Sequence, residues 1–404
     1  MSDRYPDNDP HGPNAEALAR VLLPIDQARG LPNPFYTDPR THADECARVL
    51  FEQWACAGFA NDVAGAGDTH PVNFAGLPLV IVRGRDKVIR VFHNVCQHRG
   101  RTLVEVAETA QKAMVCPYHR WAYDLEGKLI VAAHVGGAGT HECLGFDKAG
   151  IHLKPVRSAE WMGLVFVDIS GAAAPFSDFI QPIAERWRDF ADLPLIHTGT
   201  DCSIAFTLNC NWKLAVENYC EAYHLPWVHP GLNRYSPLDQ HHNIVEPTYA
   251  GQFSACYTPS FPDGAPAFPN APGLPAYWDS GAEYVALFPN VLLGIHRDHF
   301  FAVLILPDGP AKTHERMEIF YFDDAARDAN HAPSRRANRA LWESVFSEDR
   351  DAVEAMQRGR HSPGFDGGVF SPVMDLPTHA FHKWVARSWT EAGSARAADT
   401  DATF

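Results

Sequence analysis

Four residues in the first half of the chain have the types and spacing to hold a redox metal: Cys96-Gln-His98, then 17 residues, then Cys116-Pro-Tyr-His119. Each loop pairs one thiolate donor with one imidazole. A zinc finger of two cysteines and two histidines keeps its thiolates together and its imidazoles together. Two mixed pairs supply what a Rieske 2Fe-2S cluster needs, one iron held by two cysteines and the other by two histidines. That arrangement raises the reduction potential above that of all-cysteine clusters. Zinc is the competing reading. Gly100 and Pro117 permit tight loops, and Tyr118, Trp121 and Tyr123 can wall the site. Asp124-Leu-Glu-Gly127 predicts the turn of a return hairpin.

A second set of donors lies in Asn209-Cys-Asn-Trp-Lys-Leu-Ala-Val-Glu217-Asn-Tyr-Cys-Glu221-Ala-Tyr-His224-Leu-Pro-Trp-Val-His229-Pro230. At about 100° per residue, Glu217, Glu221 and His224 share one narrow arc. Trp212, Val216, Tyr219 and Tyr223 share a neighbouring apolar one. The pattern predicts a helix that carries Glu221 and His224 and breaks at Pro226, which cannot continue the hydrogen-bond ladder. The break lets His229 return to the same ion. Two neutral imidazoles suit iron or zinc. The bland alternative is that both histidines are caps or solvated surface groups.

If the two histidines belong to a facial triad, the third ligand must be a carboxylate. The segment from Arg339 to Gln357, closed by Gly359, predicts a helix. Its apolar stripe comprises Leu341, Trp342, Val345, Phe346, Val353 and Met356, with Asp349 in the middle. Glu348, Asp351 and Glu354 fall on the polar side. An acid inside an apolar stripe is costly unless it is paired or metal-bound. Asp349 is therefore the candidate ligand and Asp351 the second choice. A buried salt bridge from Asp349 to Arg339 or a distant lysine is the competing reading.

The elements that position these groups follow from local pattern. Residues 1–20 are rich in Pro, Asp and Asn and are expected to fray, and a helix is expected from Thr41 to about Gln53. Short apolar runs at 77–83, 88–92, 129–131 and 162–168 predict a small β-domain. Further runs at 284–288, 291–296, 299–306 and 317–322 suit an antiparallel sheet over a long helix. Between them, Tyr257 to Trp278 is long, aromatic and without periodicity, as expected of a lid or pocket wall. Tyr257, Phe261, Phe268, Trp278, His296 and Phe301 can line a cavity or serve as core, and residues 391–404 are expected to be loose. The 404 residues allow two or three domains. A net charge of −15 argues against nucleic-acid or anionic-membrane partners. Nine scattered cysteines are no disulfide framework. Without a long apolar run or secretory pattern, the expected location is cytoplasmic.

Together the two motifs resemble the α-subunit of the Rieske non-haem iron oxygenases. The likeness spans about residues 60–404. It implies a 2Fe-2S cluster on Cys96, His98, Cys116 and His119, and Fe(II) on His224, His229 and Asp349, which fits the family's Glu/Asp-Asp-x-x-x-x-Glu-x-x-Gln pattern. It also implies an α+β chain: an all-β Rieske domain (46–165) after an N-terminal extension and helix (1–45), then a helix-grip catalytic domain (166–404). Glu221 matches the acid that carries electrons between the cluster of one subunit and the iron of its neighbour in a head-to-tail homotrimer. Glutamate there, where many members have aspartate, resembles the choline, glycine betaine and carnitine branch. Arg120 departs from the commoner small residue and reads as a surface or docking feature. No GxGxxG loop or plant-ferredoxin cysteine cluster is present, so electrons are expected from a separate reductase, alone or through a ferredoxin. The substrate is expected to be a small molecule, a methylated amine or an arene. Two rival readings remain: a bare electron carrier whose second site is vacant, and a binding module of the same helix-grip shape that holds an apolar ligand without chemistry.

Overall fold

The computed structural model describes residues 15–259 and 265–401, with residues 392–401 described by backbone alone. These divide into two compact units, one of Gln53–Ala173 and one from the segments up to Glu52 and from Ala174 onward. In the first, short apolar runs pair into a six-stranded antiparallel sheet. Its order is Ala55–Phe59, Leu164–Asp168, Pro155–Trp161, Ile89–His93, Leu77–Arg83, Thr69–Phe74. The last predicted strand starts two residues late, because Met162 and Gly163 form its turn with φ of 46° and 72°. A three-stranded sheet (Met114–Val115, Ala122–Tyr123, Leu129–Val131) carries the second Cys-His loop between its first two strands. The predicted hairpin turn is present. Asp124 Oδ1 accepts the N–H groups of Glu126 (3.0 Å) and Lys128 (2.8 Å).

The second unit is built on a seven-stranded antiparallel sheet. Its order is Ser203–Leu208, Thr313–Tyr321, His299–Pro307, Val291–His296, Ala282–Leu287, Tyr249–Ser254, His241–Val245. Ala282–Leu287 and Val291–His296 are buried along their whole length, so these central strands are covered on both faces. The covering elements include the Trp212–Cys220 helix and the long helices Ala332–Gly359 and Leu376–Asp401. Three local expectations change. The first predicted helix runs as Pro39–Glu45, widens to a π-turn over Cys46–Leu50 and stops there. The C-terminal segment expected to be loose is helical to Asp401, and 402–404 lie outside the described residues. Of the segment expected to fray, residues 15–20 open the Ala15–Val21 helix, and 1–14 lie outside the described residues.

The Trp212–Cys220 helix is short but almost wholly buried, and its polar residues are met by buried partners. Asn211 caps it, accepting the Lys213 N–H at 3.1 Å. The Lys213 ammonium donates to Glu45 Oε2 (2.7 Å), the Phe35 carbonyl (2.7 Å) and Asn211 Oδ1 (2.8 Å). Glu217 accepts from the Tyr36 hydroxyl and lies 3.2 Å from His382 Nε2 and 3.5 Å from Arg360 Nη2. Burial alone would raise the Glu217 carboxyl, but His382, Arg360 and Tyr36 outweigh it and hold it at about 2 against the ordinary 4.5. A depressed carboxylate stabilises the fold fully above pH 4.5 and loses that contribution as the pH falls towards 2. Glu217→Gln is expected to cost about 3 kcal/mol or more at neutral pH, as breaking a buried ion pair does. The gap to wild type should shrink as pH drops through that window. Urea unfolding across the range checks both; equal midpoints at neutral pH would refute the assignment.

Candidate metal centres

The Trp212–Cys220 helix stops one residue before Glu221, which is extended (φ −123°, ψ 156°). This corrects the expected single helix broken at Pro226. Pro226 instead sits in the first turn of the next helix, Leu225–Val228, where its missing N–H costs nothing. His224 caps that helix at its start and His229 at its end. The early stop sets the geometry. Glu221 folds back so that its Oε1 accepts from His224 Nδ1 (2.7 Å) and its Oε2 from the His224 backbone N–H (3.2 Å).

His229 is held the same way by Glu348, whose Oε2 accepts from Nδ1 at 2.7 Å. Both rings thus turn Nε2 towards Asp349, on the Ala332–Gly359 helix. Asp349 Oδ1 lies 2.9 Å from His229 Nε2 and 3.7 Å from His224 Nε2, with the rings 5.0 Å apart. With each Nδ1–H donated to a carboxylate, both Nε2 atoms face the Asp349 carboxylate, where a proton or a metal cation can be shared between them. Burial opposes charge on His229, yet Asp349 and Glu348 outweigh it and raise its pKa. The same field favours a divalent ion. Within the described residues, His224, His229 and Asp349 are the set whose donor atoms converge within 4.8 Å. Asp351 is exposed and outside that set, and Arg339 pairs with Glu343 at 2.8 Å instead of Asp349. Glu217, on the same predicted arc as Glu221, serves the buried ion network and not the centre.

Sequence reasoning placed Glu348 on the polar face and missed its contact with His229. The neighbouring acids Glu348-Asp349 were the available signal. Glu315 gave none. It shares a small cavity with Asp349, and burial, then the Asp349 charge, push its carboxyl up to about 8.

In the other unit, Cys96 and Cys116 are buried and His98 and His119 lie at the surface end, their rings 4.6 Å apart. His98 stacks on Trp121 at 4.6 Å. The Tyr123 hydroxyl accepts the Gln97 N–H (3.0 Å) and lies 3.4 Å from Cys96 Sγ. Burial raises the Cys96 thiol, against the pull of Tyr123 and the His98 backbone, so a thiolate there calls for a cation. Two sulfurs inside and two imidazoles outside fit a cluster with two unlike irons.

A pocket opens over the convergent triad, walled by Tyr219, Tyr284, Trp342 and Phe346 and edged by Asn218 and Gln252. Tyr257, His296 and Phe301, expected to line it, pack around Trp342 as the layer behind. Phe268 packs on Tyr321 and Trp278 on Phe190, while Phe261 lies outside the described residues.

The family described as Ring hydroxylating alpha subunit (catalytic domain) matches residues 185–391, and the Rieske [2Fe-2S] domain matches 53–139. The chain belongs to the ring-hydroxylating alpha-subunit family. Its cofactors are a Rieske 2Fe-2S cluster and a mononuclear Fe(II). It is a Rieske-type oxygenase component that works with a reductase and a small-molecule substrate. It is 27% identical to the glycine betaine monooxygenase oxygenase subunit of Chromohalobacter salexigens, covering 93% of this chain and 89% of that one. It is 28% identical to the carnitine monooxygenase oxygenase subunit of Escherichia coli K12, over 84% and 87%. Its fold matches a quaternary ammonium Rieske monooxygenase crystallised with L-carnitine (TM-score 0.74, 23% identity, 92% and 98% covered). Among the described residues, no helix is long and apolar enough to cross a membrane.

Removing a carboxylate that orients a metal-bound imidazole typically costs about 10–100-fold in metal affinity. Glu348→Ala is expected to weaken Fe(II) binding in that range while the cluster's visible absorption stays. Competition titration with a chelator measures it; unchanged affinity would remove Glu348 from the centre.

Proposed function

We propose that this chain is the oxygenase component of a multicomponent system that hydroxylates an N-methyl group of a quaternary ammonium compound. Cys96, His98, Cys116 and His119 hold the cluster, and His224, His229 and Asp349 hold the iron. The reaction consumes one O2, two electrons and two protons, and yields the hydroxylated product and water. The iron supplies O2 binding and activation. The chain's own residues do the rest. Glu221 and Glu348 fix the tautomer and aim of the two imidazoles. The aromatic walls orient the substrate and keep bulk water from the reacting carbon.

The observation that carries the substrate class is the lining of the cavity. Four aromatic side chains face it, and no lysine or arginine belongs to its described walls. Such faces bind a cation that cannot be hydrogen-bonded, through its methyl shell. The names of the relatives, which act on glycine betaine and carnitine, support the same reading.

In this reading the chain assembles head to tail as a homotrimer, and a ferredoxin can stand between reductase and cluster. Glu221 links two centres across the contact. Its carboxylate receives the His224 Nδ1–H and is partly exposed, with lone pairs open to an N–H donor from the neighbour's cluster ligand. A head-to-tail contact whose rotation closes makes a ring.

Glu221→Gln is expected to leave both centres loaded and to collapse substrate oxidation; near wild-type turnover would remove Glu221 from the electron path. Asp349→Ala should lose the mononuclear iron and keep the cluster's two, as metal analysis with visible spectra would report. Oxygen uptake with a generic reductase should respond to methylated ammonium compounds and not to arenes. The opposite preference would overturn the substrate class.

A further inference from the structure

The two ligand loops of the Rieske unit are built alike. In the first, Cys96 N–H donates to the Arg101 carbonyl (2.8 Å) and Gly100 N–H returns to the Cys96 carbonyl (3.0 Å). In the second, Cys116 N–H donates to the Trp121 carbonyl (2.8 Å) and Arg120 N–H to the Cys116 carbonyl (3.0 Å). Positions 100 and 120 are therefore equivalent, and both are left-handed, with φ of 73° and 57°. A Cβ at Gly100 would meet nothing within 4 Å, so the demand there is conformational and not steric. Glycine meets it freely; a residue with a Cβ does so at a cost. The second loop nevertheless carries an arginine, one residue past His119.

That side chain does nothing for its own unit. Arg120 is exposed, and among the described residues it makes no side-chain hydrogen bond, ion pair or ring contact. Arg99 and Arg101 beside it are engaged, the first over the Tyr118 ring at 5.7 Å and the second with Glu105 at 2.9 Å. On a chain of net charge −15, arginines beside the histidine end of the cluster site are a local exception. The mouth of the iron site has the complementary character. Glu221 lines its pocket and lies within electrostatic reach of Asp375, and the exposed rings of Tyr223 (44%) and Trp227 (71%), 5.9 Å apart, flank His224 in the chain.

We infer that Arg120 is a docking residue whose guanidinium seats in the acidic and aromatic rim around Glu221 of a second copy of this chain. Seated there, it holds the His98–His119 edge in register for electron transfer. The inference rests on the head-to-tail reading above. Guanidinium suits such a rim because it can pair with carboxylate and stack on aromatic faces at once.

The test uses the loaded enzyme with its cluster reduced beforehand, mixed with substrate and O2, so that no donor protein takes part. Arg120→Gly relieves the left-handed strain, so its melting temperature should equal or exceed wild type, with unchanged iron content and cluster spectrum. Its cluster should reoxidise at least tenfold more slowly, and Arg120→Glu more slowly still. The wild-type rate should fall with added salt, and that dependence should flatten in Arg120→Gly. Arg120→Lys should recover part of the rate. A wild-type trimer whose rate and salt dependence survive Arg120→Gly would overturn the role of Arg120 alone. So would a variant slowed only in its reduction by the reductase. Wild-type enzyme that sediments as a monomer and still reoxidises its cluster on substrate would instead overturn the head-to-tail reading itself.

Discussion

Two imidazole N–H groups donated to two carboxylates decide the rest of this molecule. Glu221 and Glu348 each take the Nδ1 proton of a histidine, which leaves both Nε2 lone pairs facing Asp349. That arrangement offers a divalent ion two imidazole nitrogens and a carboxylate on one face. The backbone is arranged to permit it. Had the Trp212–Cys220 helix continued through Glu221, that carboxylate could not fold back to meet both the ring and the backbone of His224.

The helix that leads to the candidate centre is anchored by charges away from it. Lys213 and Glu217 point into a network with Glu45, Arg360, His382 and the Tyr36 hydroxyl. These partners come from the first fifty residues and from near the C-terminus, so the chain's two ends are tied to the helix that precedes the histidines. Buried ions are a poor source of stability compared with apolar packing. What they contribute here is placement, since every member of the network has one position in which its charge is met.

The Rieske unit solves a different problem. Its four candidate donors stand at the tips of two loops, the cysteines inward and the imidazoles outward. Matching backbone hydrogen bonds in each loop do this with little else. Stacking of His98 on Trp121 and the contact of Tyr123 with Cys96 then fix the ring and the sulfur. The imidazoles end at the surface, where an electron can leave.

How much of this could be read from the chain depended on how local each feature is. Tight loops place side chains by spacing alone, so the meeting of His98 with His119 and the pairing of each with a buried cysteine were legible. So were the strands, from runs too short and apolar for helices, and Asp349, because an acid in an apolar stripe needs a reason. Glu348 was not legible. A helical projection ranks residues by angle about their own axis and cannot know where a ring on another element stands. The stop before Glu221 was missed because the pattern from Trp212 to His224 is helical throughout, and only the tertiary bond from carboxylate to imidazole ends it. The cavity walls were half wrong for the same reason: Tyr257 and His296 are as aromatic as Tyr219 and Tyr284. Sequence alone singled out the candidate donors, because residue type and spacing set their chemistry. Only the tertiary structure decided which groups converge with Asp349 and which stand behind them, because that depends on distances between elements far apart in the chain.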